Sequence, residues 1–283
     1  MSLRSNDLAL PEGTTSLIRN LINERTGMFF DNGKGDLLLD KLSPLVIERG
    51  FGSYLDYYYL LKYDTSARLD WQNVMNALSV QETYLWREFD QIRALVQTLV
   101  PQWKARNPKS TLRIWSAACA TGEEPLTLAI ALNEAGWFDR ASIEIVATDA
   151  SSKAIDRAVK GVYRERAFRN LQPHLRDRYF ERDGSDWRVR SDIHSRIRWG
   201  LANLIEEDQI APFASADFIF CRNVFIYFSE SAITRVVGSF SRFIRPPGYL
   251  FVGAAESLLR LTTDFTLTEI DDAFVYVKRE RAV

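Results

Sequence analysis

Up to about residue 80, apolar positions recur every three or four residues, the spacing of helices packed into a bundle. Leu17, Ile18, Leu21 and Ile22 belong to a first helix, which Thr14, Thr15 or Ser16 can cap and Gly27 closes. Leu37, Leu38, Leu42, Leu45 and Ile47 mark a second, ended by Gly50 and Gly52. Ser53 caps a third, rich in Tyr54, Tyr57, Tyr58, Leu60 and Leu61, and Leu69, Trp71, Val74, Met75 and Leu78 mark a fourth. Arg19, Arg25, Lys41 and Arg49 lie on these helices, but acidic residues interleave them and dilute any basic face.

Residues 81–88 alternate polar groups with large aromatics, and Thr83 can cap the helix that follows towards Pro101 and Trp103. Beyond residue 110 the pattern changes. Short apolar runs at 112–115, 143–148, 216–221 and 249–253 read as buried strands of a parallel sheet. Between them, 126–135 reads as an amphipathic helix, and Ser229 caps another that Pro246, Pro247 and Gly248 stop. The segments 265–270 and 273–278, joined at Asp271 and Asp272, form a closing antiparallel hairpin. Residues 160–198 hold ten arginines (164, 166, 169, 176, 178, 182, 188, 190, 196 and 198), a hairpin turn at 183–186 and a further strand at 197–201. Such a basic stretch suits an acidic partner or is simply a solvated insertion.

The pattern is tightest at 112–125, L-R-I-W-S-A-A-C-A-T-G-E-E-P. A strand ends at Trp115, small residues follow, and Glu123, Glu124 and Pro125 open a helix. This is the nucleotide-binding corner of an open α/β sheet, where small side chains let a ligand lie against the backbone. A dinucleotide would put its pyrophosphate on that helix N-terminus. Two carboxylates within about 4 Å of a phosphate would cost on the order of 1–4 kcal/mol each. They suit a cationic ligand instead, and S-adenosylmethionine (SAM) offers a sulfonium and an ammonium without a phosphate. The simpler alternative is that Glu123 and Glu124 complement the helix dipole. Asp149, at the end of the second strand, either takes ribose hydroxyls or caps the next helix, and its place after this corner favours ribose. Arg222 and Asn223 follow the strand at 216–221, where such sheets place ligand contacts.

The 283 residues carry a formal net charge of −1, which argues against bulk nucleic-acid or membrane binding. Two histidines, His174 and His194, leave little room for Ser/His catalysis or a His-rich metal centre. Cys119 and Cys221 read neither as a disulfide framework nor as a metal site. No apolar run approaches a membrane span and no secretory leader is evident, so a cytoplasmic protein is expected, and nothing demands more than a monomer.

With these motifs assembled, the chain resembles the chemotaxis receptor methyltransferases, the CheR family. The match rests on Thr83 to Arg87 as T-x-x-x-R, W-S-A-A-C-A-T-G-E-E-P at 115–125, A-T-D at 147–149, F-C-R-N-V-F-I-Y-F at 220–228 and G-x-x-E-S-L at 253–258. The resemblance implies a doubly wound SAM-dependent methyltransferase sheet with a C-terminal hairpin over 81–283. An all-α domain over 1–80 precedes it, and a small basic β-subdomain over 161–200 is inserted in it. It implies methyl transfer from SAM to glutamate side chains on chemoreceptor cytoplasmic helices, giving glutamyl methyl esters, with no metal. Gln81, Thr83 and Arg87 would approach the cofactor's reactive end, where Arg87 and Tyr227 flank the methyl. Glu123 or Glu124 and Asp149 would hold the methionine and ribose portions, with Asn203, Leu204, Arg222 and Asn223 completing the cofactor contacts. The sequence departs from the family's habit at Gln81, where Asn is usual, at Leu85-Trp86, where two phenylalanines are usual, and at Ala254-Ala255, where His-Ser is common. The short turn after Phe180 points to a type that needs no tethering peptide at the receptor's C-terminus, and the basic insertion would meet the receptor. Two other classes remain beside this one: a non-catalytic SAM-sensing scaffold, and a methyltransferase for a small molecule or nucleic acid. No Asn-Pro-Pro-Tyr-like segment follows Phe220, which speaks against base N-methylation.

Overall fold

The computed structural model describes residues 8–278, so the outer limits expected at 1 and 283 lie outside the described residues. Four helices come first: α1 (Thr14–Thr26), α2 (Gly35–Glu48), α3 (Tyr54–Tyr63) and α4 (Arg68–Leu78). Their apolar stripes close a core around Ile22, Leu38, Leu42, Val46, Tyr57 and Val74. Leu37 and Leu69, expected in those stripes, face solvent. Ser53 Oγ accepts from the Leu55 N–H as expected of a cap. The first helix differs. Gly13, in the left-handed region, takes its N-cap position, and no side chain caps it.

A second correction concerns Thr83. It caps nothing: the next helix, α5 (Phe89–Ala94), begins behind Glu88, which is itself left-handed at φ 46°. A π-helical turn at Leu95–Leu99 then continues into α6 (Val100–Arg106). Pro101 is tolerated there because it falls in the first turn after the loosened segment.

The sheet follows with β1 (Leu112–Ala117), α7 (Glu123–Glu134), α8 (Trp137–Arg140), β2 (Ile143–Asp149) and α9 (Ser152–Lys160). The basic stretch then holds β3 (Val162–Tyr163), α10 (Pro173–Tyr179), β4 (Phe180–Asp183), β5 (Asp186–Val189) and α11 (Ser191–His194). Last come β6 (Ile197–Leu201), α12 (Glu207–Ala214), β7 (Phe218–Phe220), α13 (Glu230–Phe243), β8 (Gly248–Phe251), β9 (Thr266–Ile270) and β10 (Ala273–Lys278). Seven strands form one sheet in the order β6-β2-β1-β7-β8-β10-β9, parallel except at β10 and β9. The central strands are buried on both faces, and the Phe220 and Phe251 rings stack at 4.1 Å across β7 and β8. The expected amphipathic helix is instead α7, buried almost all round because α5 and α11 cover the side turned from the sheet.

β3, β5 and β4 make a separate antiparallel sheet, the expected β-subdomain, with a Gly184-Ser185 turn. The expected insertion ran to residue 200, but β6 pairs with β2 and so belongs to the main sheet. Its charge is largely spent internally: Arg176, Arg178, Arg182, Arg188 and Arg190 pair with Glu165, Glu134, Glu165, Asp183 and Glu181. The Trp187 ring lies between the guanidinium groups of Arg176 and Arg182, at 4.2 and 4.0 Å. Sequence counting sees the arginines; the fold then brings acids to these five, one of them, Glu134, from α7 outside the insertion.

Candidate active site

The chain leaves β1 towards β2 on one side and returns later to β7 on the other. The crevice at this switch point, beyond the strands' C-terminal ends, is where open α/β sheets bind ligands. The loop after β1 is shaped for close approach, with Ala118 at φ 60°, Ala120 at φ 48° and Gly122 at φ 97°. Gly122 has no room for a side chain, since a Cβ there would lie 2.8 Å from the Trp199 ring and 3.0 Å from Ala158.

Asp149 closes this floor. Its Oδ2 accepts from the Ala120 N–H at 2.9 Å and its Oδ1 from the Ser151 N–H at 2.8 Å. Ser151, not Asp149, caps α9, its Oγ accepting from the Ala154 N–H. Burial pushes the Asp149 carboxyl above its ordinary pKa, despite those amides. The adjacent glutamates divide. Glu124 Oε1 accepts from Ser116 Oγ at 2.6 Å, and its Oε2 lies 3.2 Å from Arg222. Glu123 turns away, is not part of the cleft wall, and accepts from Thr121 Oγ1 at 2.7 Å. Burial raises both carboxyls.

The opposite wall is a lip made of residues 79–88 and of N-terminal helices. Ser79, Val80, Glu82, Thr83, Tyr84 and Arg87 line the cleft from the lip, and Thr26, Met28 and Met75 from the helical region. The lip is pinned from three directions. The Leu85 N–H donates to Ala167 O at 2.9 Å, the Trp86 N–H to Thr127 Oγ1 at 3.2 Å, and Arg169 stacks 3.6 Å from the Tyr84 ring while pairing with Glu82. Arg87 donates to Glu82 O at 2.9 Å and is about one-quarter exposed. The helical region is sewn on by the Met28–Phe228 bridge, by Gln72 donating to Ala150 O and by Asn76 bonded to Ser151 and Ser152.

Between the walls, Arg222 is 2% exposed and reaches Glu124 and Glu88, both at 3.2 Å. Its Nε finds no partner among the described residues, which leaves a buried donor beside the cleft. Asn223, left-handed at φ 58°, receives its main-chain partner from Glu256, whose Oε2 accepts from the Asn223 and Gly253 amides. Left-handed backbone at Trp86, Glu88, Ala118, Ala120 and Asn223 gathers around one cleft, a clustering expected where a site over-determines the chain.

Of the residues singled out by sequence, the cleft gathers Thr83, Arg87, Glu124, Asp149, Asn203, Leu204, Arg222, Asn223 and Tyr227. Gln81 stays outside, its Oε1 accepting from Arg157 at 2.9 Å. Asn203 lies on the wall with its side chain engaged, donating to Arg25 O and accepting from the Ile205 N–H. Met75, Ser79 and Tyr84 were not foreseen, since only the fold brings the helical region over the sheet. Glu88 was not foreseen either. The cleft spans about 1000 Å³ of non-atom space, the solvent at its open mouth included. The Glu124 and Asp149 carboxylates and the small-residue loop suit a cation-bearing adenosine compound such as SAM better than a phosphate, and of the two arginines on the wall Arg222 is already paired with Glu124 and Glu88. Among the described residues no His/Cys/Asp/Glu group is arranged to hold a metal ion, and no helix is long and apolar enough to cross a membrane.

Comparison with known proteins agrees with this donor set. A family model described as CheR methyltransferase, SAM binding domain matches residues 81–274, and one described as CheR methyltransferase, all-alpha domain matches 15–79. The chain is 30% identical over 277 residues to chemotaxis protein methyltransferase 2 of Vibrio cholerae, covering 96% of this chain and 95% of that protein. It is 30% identical to chemotaxis protein methyltransferase 1 of Pseudomonas aeruginosa, over 92% of this chain and 96% of the relative. The same identity holds against the chemotaxis protein methyltransferase of Klebsiella aerogenes, over 92% of this chain and 88% of the relative.

Proposed function

The chain belongs to the CheR methyltransferase family and is a SAM-dependent methyltransferase, and from this premise we propose that it methylates glutamate side chains on the cytoplasmic helices of chemoreceptors, forming glutamyl methyl esters. The observation that carries the reading is the pairing of a carboxylate-lined cofactor floor with a cationic, part-exposed Arg87 at its lip. Relatives named for chemotaxis at about the same length support the receptor as substrate. SAM, when bound, supplies a methyl group activated on a sulfonium.

The chain's residues then have modest tasks. A glutamate of pKa about 4.3 is ionised at neutral pH and needs no general base, which fits a wall without histidine. Arg87 orients the incoming carboxylate, as a guanidinium does bidentately, and Tyr227 bounds the same space from the opposite side. Glu124 faces the methionine ammonium and Asp149 the ribose hydroxyls, while Asn223 and Leu204 flank the adenosine. Positioning is the main contribution, and it is the kind that a displacement of about 1 Å can spoil a hundredfold. The test is transfer of labelled methyl from SAM to a chemoreceptor cytoplasmic fragment. Label released by mild alkali as methanol is expected. Label stable to alkali, or SAM binding without transfer to any receptor fragment, would overturn the assignment, the latter in favour of a SAM-sensing module.

A further inference from the structure

Glu88 is absent from the cleft wall, yet it is the most connected side chain behind it. Its Oε2 lies 3.2 Å from Arg222 and accepts from the Ala254 N–H at 3.1 Å, while its Oε1 accepts from Asn223 Nδ2 at 3.1 Å. Its backbone is held left-handed at φ 46°, a conformation unusual for glutamate, and Arg222 also donates to the carbonyl of Arg87 at 2.8 Å. Burial pulls the Glu88 carboxyl upward, but the charge of Arg222 and the bonds from Asn223, Arg222 and Ala254 outweigh it and hold it ionised below its ordinary range.

The arrangement is a row of three charges, Glu88, Arg222 and Glu124, with the cation in the middle. Were Arg222 paired with Glu124 alone, the two would cancel and the wall would present no net charge at the point where a ligand ammonium is expected. With Glu88 taking the far side of the guanidinium, the row carries one net negative charge, and only Glu124 of its two carboxylates lines the cleft. Arg87 lies 3.9 Å from Glu88 and its charge also reaches Glu124, but it is part-exposed and so screened by solvent where the buried Arg222 is not. Asp149 and Glu256 add negative charge nearby, each already accepting from backbone amides.

We propose that Glu88 is a positioning residue that sets the charge of the cofactor site: by balancing Arg222 it leaves Glu124 free to meet the ammonium of a SAM-type ligand. The proposal rests on Glu124 facing the methionine end. It predicts a loss specific to the cationic part of the ligand, which a merely structural role would not give.

The experiment is equilibrium titration of the full chain with S-adenosylhomocysteine and with 5′-methylthioadenosine, which keeps adenosine and thioether but has neither the ammonium nor the carboxylate. The weaker ligand is read by displacement of the stronger. Glu88→Gln is expected to weaken S-adenosylhomocysteine about thirtyfold, as for removal of one charge roughly 8 Å away at an effective dielectric near 20. Methylthioadenosine should change less than about twofold, since that ligand carries no charge for the row to act on. Glu88→Asp, which keeps the charge, should restore most of the lost affinity. Equal weakening of both ligands by Glu88→Gln, no weakening of either, or Glu88→Asp as weak as Glu88→Gln would each overturn the proposal. Glu124→Gln separates the two levels of the argument: if it leaves S-adenosylhomocysteine binding intact, the placement of the ammonium fails rather than the role of Glu88.

Discussion

The floor of the cleft is held by carboxylates that grip main-chain amides, whereas the lip facing it is pinned from three other parts of the fold, at Ala167, Thr127 and Arg169. Asp149 accepts from two backbone amides and Glu256 from three, contacts that fix a carboxylate to within a rotamer. The lip instead depends on Arg87 donating to Glu82 O, the Leu85 N–H to Ala167 O and the exposed guanidinium of Arg169 against Tyr84. A wall of the first kind suits binding a constant ligand. One of the second kind can adjust to a protein substrate, and the difference leads us to propose that cofactor affinity and turnover are carried by separate surfaces that meet at Arg222.

The largest effect that sharpens this division is expected from Arg87→Ala, which should lower kcat about a hundredfold, in the range seen when one group positioned for the transition state is removed. Rapid-quench or label-transfer kinetics would check it, and a loss confined to KM would place Arg87 in uniform substrate binding instead.

Next in size is the response to acid. Burial raises the carboxyls of Glu124 and Asp149, so they protonate at higher pH than free carboxylates do. Affinity for S-adenosylhomocysteine should therefore fall as pH is lowered, starting above the ordinary carboxylate range, by about tenfold per lost charge contact. The ligand-free protein should respond with the opposite sign. A raised native pKa contributes stability that is present below the unfolded pKa and lost as pH rises through the native one. Parallel titrations and melting curves with and without ligand would separate the two.

The smallest change is predicted for Arg169→Ala. A solvent-screened ion pair with a cation–π contact contributes little, so turnover should fall only about two- to fivefold while S-adenosylhomocysteine binding stays unchanged. A matching loss of cofactor affinity would show that the lip belongs to the binding surface after all.

What was legible in the sequence follows the same division. The corner at 112–125 and Asp149 at the end of β2 announce themselves, because strand, small-residue loop and helix start are contiguous and their geometry is local. Which glutamate faces the cleft was not legible: neighbours on a helix point about 100° apart, and the left-handed Gly122 that sets the helix start decides between them. The lip was read poorly for a different reason. Thr83 reads as a helix cap in the sequence, because its surroundings come from residues 75, 167, 169 and 222, which only the tertiary fold collects. The basic insertion misled in the other direction, since Glu165, eleven residues before Arg176, and Glu181 and Asp183, across the β4–β5 pair from Arg190 and Arg188, are brought to their arginines only by the fold.

The claim at the centre of this account, that binding lives on the sheet wall and chemistry on the lip, is tested most directly by calorimetric titration of S-adenosylhomocysteine into Asp149→Ala and Arg87→Ala side by side. Asp149→Ala removes a charged acceptor and leaves the Ala120 and Ser151 amides unpaired, a cost of about 1.5–3 kcal/mol or roughly ten- to a hundredfold in affinity. Arg87→Ala is expected to bind within about threefold of the unaltered protein, a change of under about 1 kcal/mol. Comparable losses in the two variants would contradict the division and place Arg87 on the cofactor rather than on the incoming glutamate.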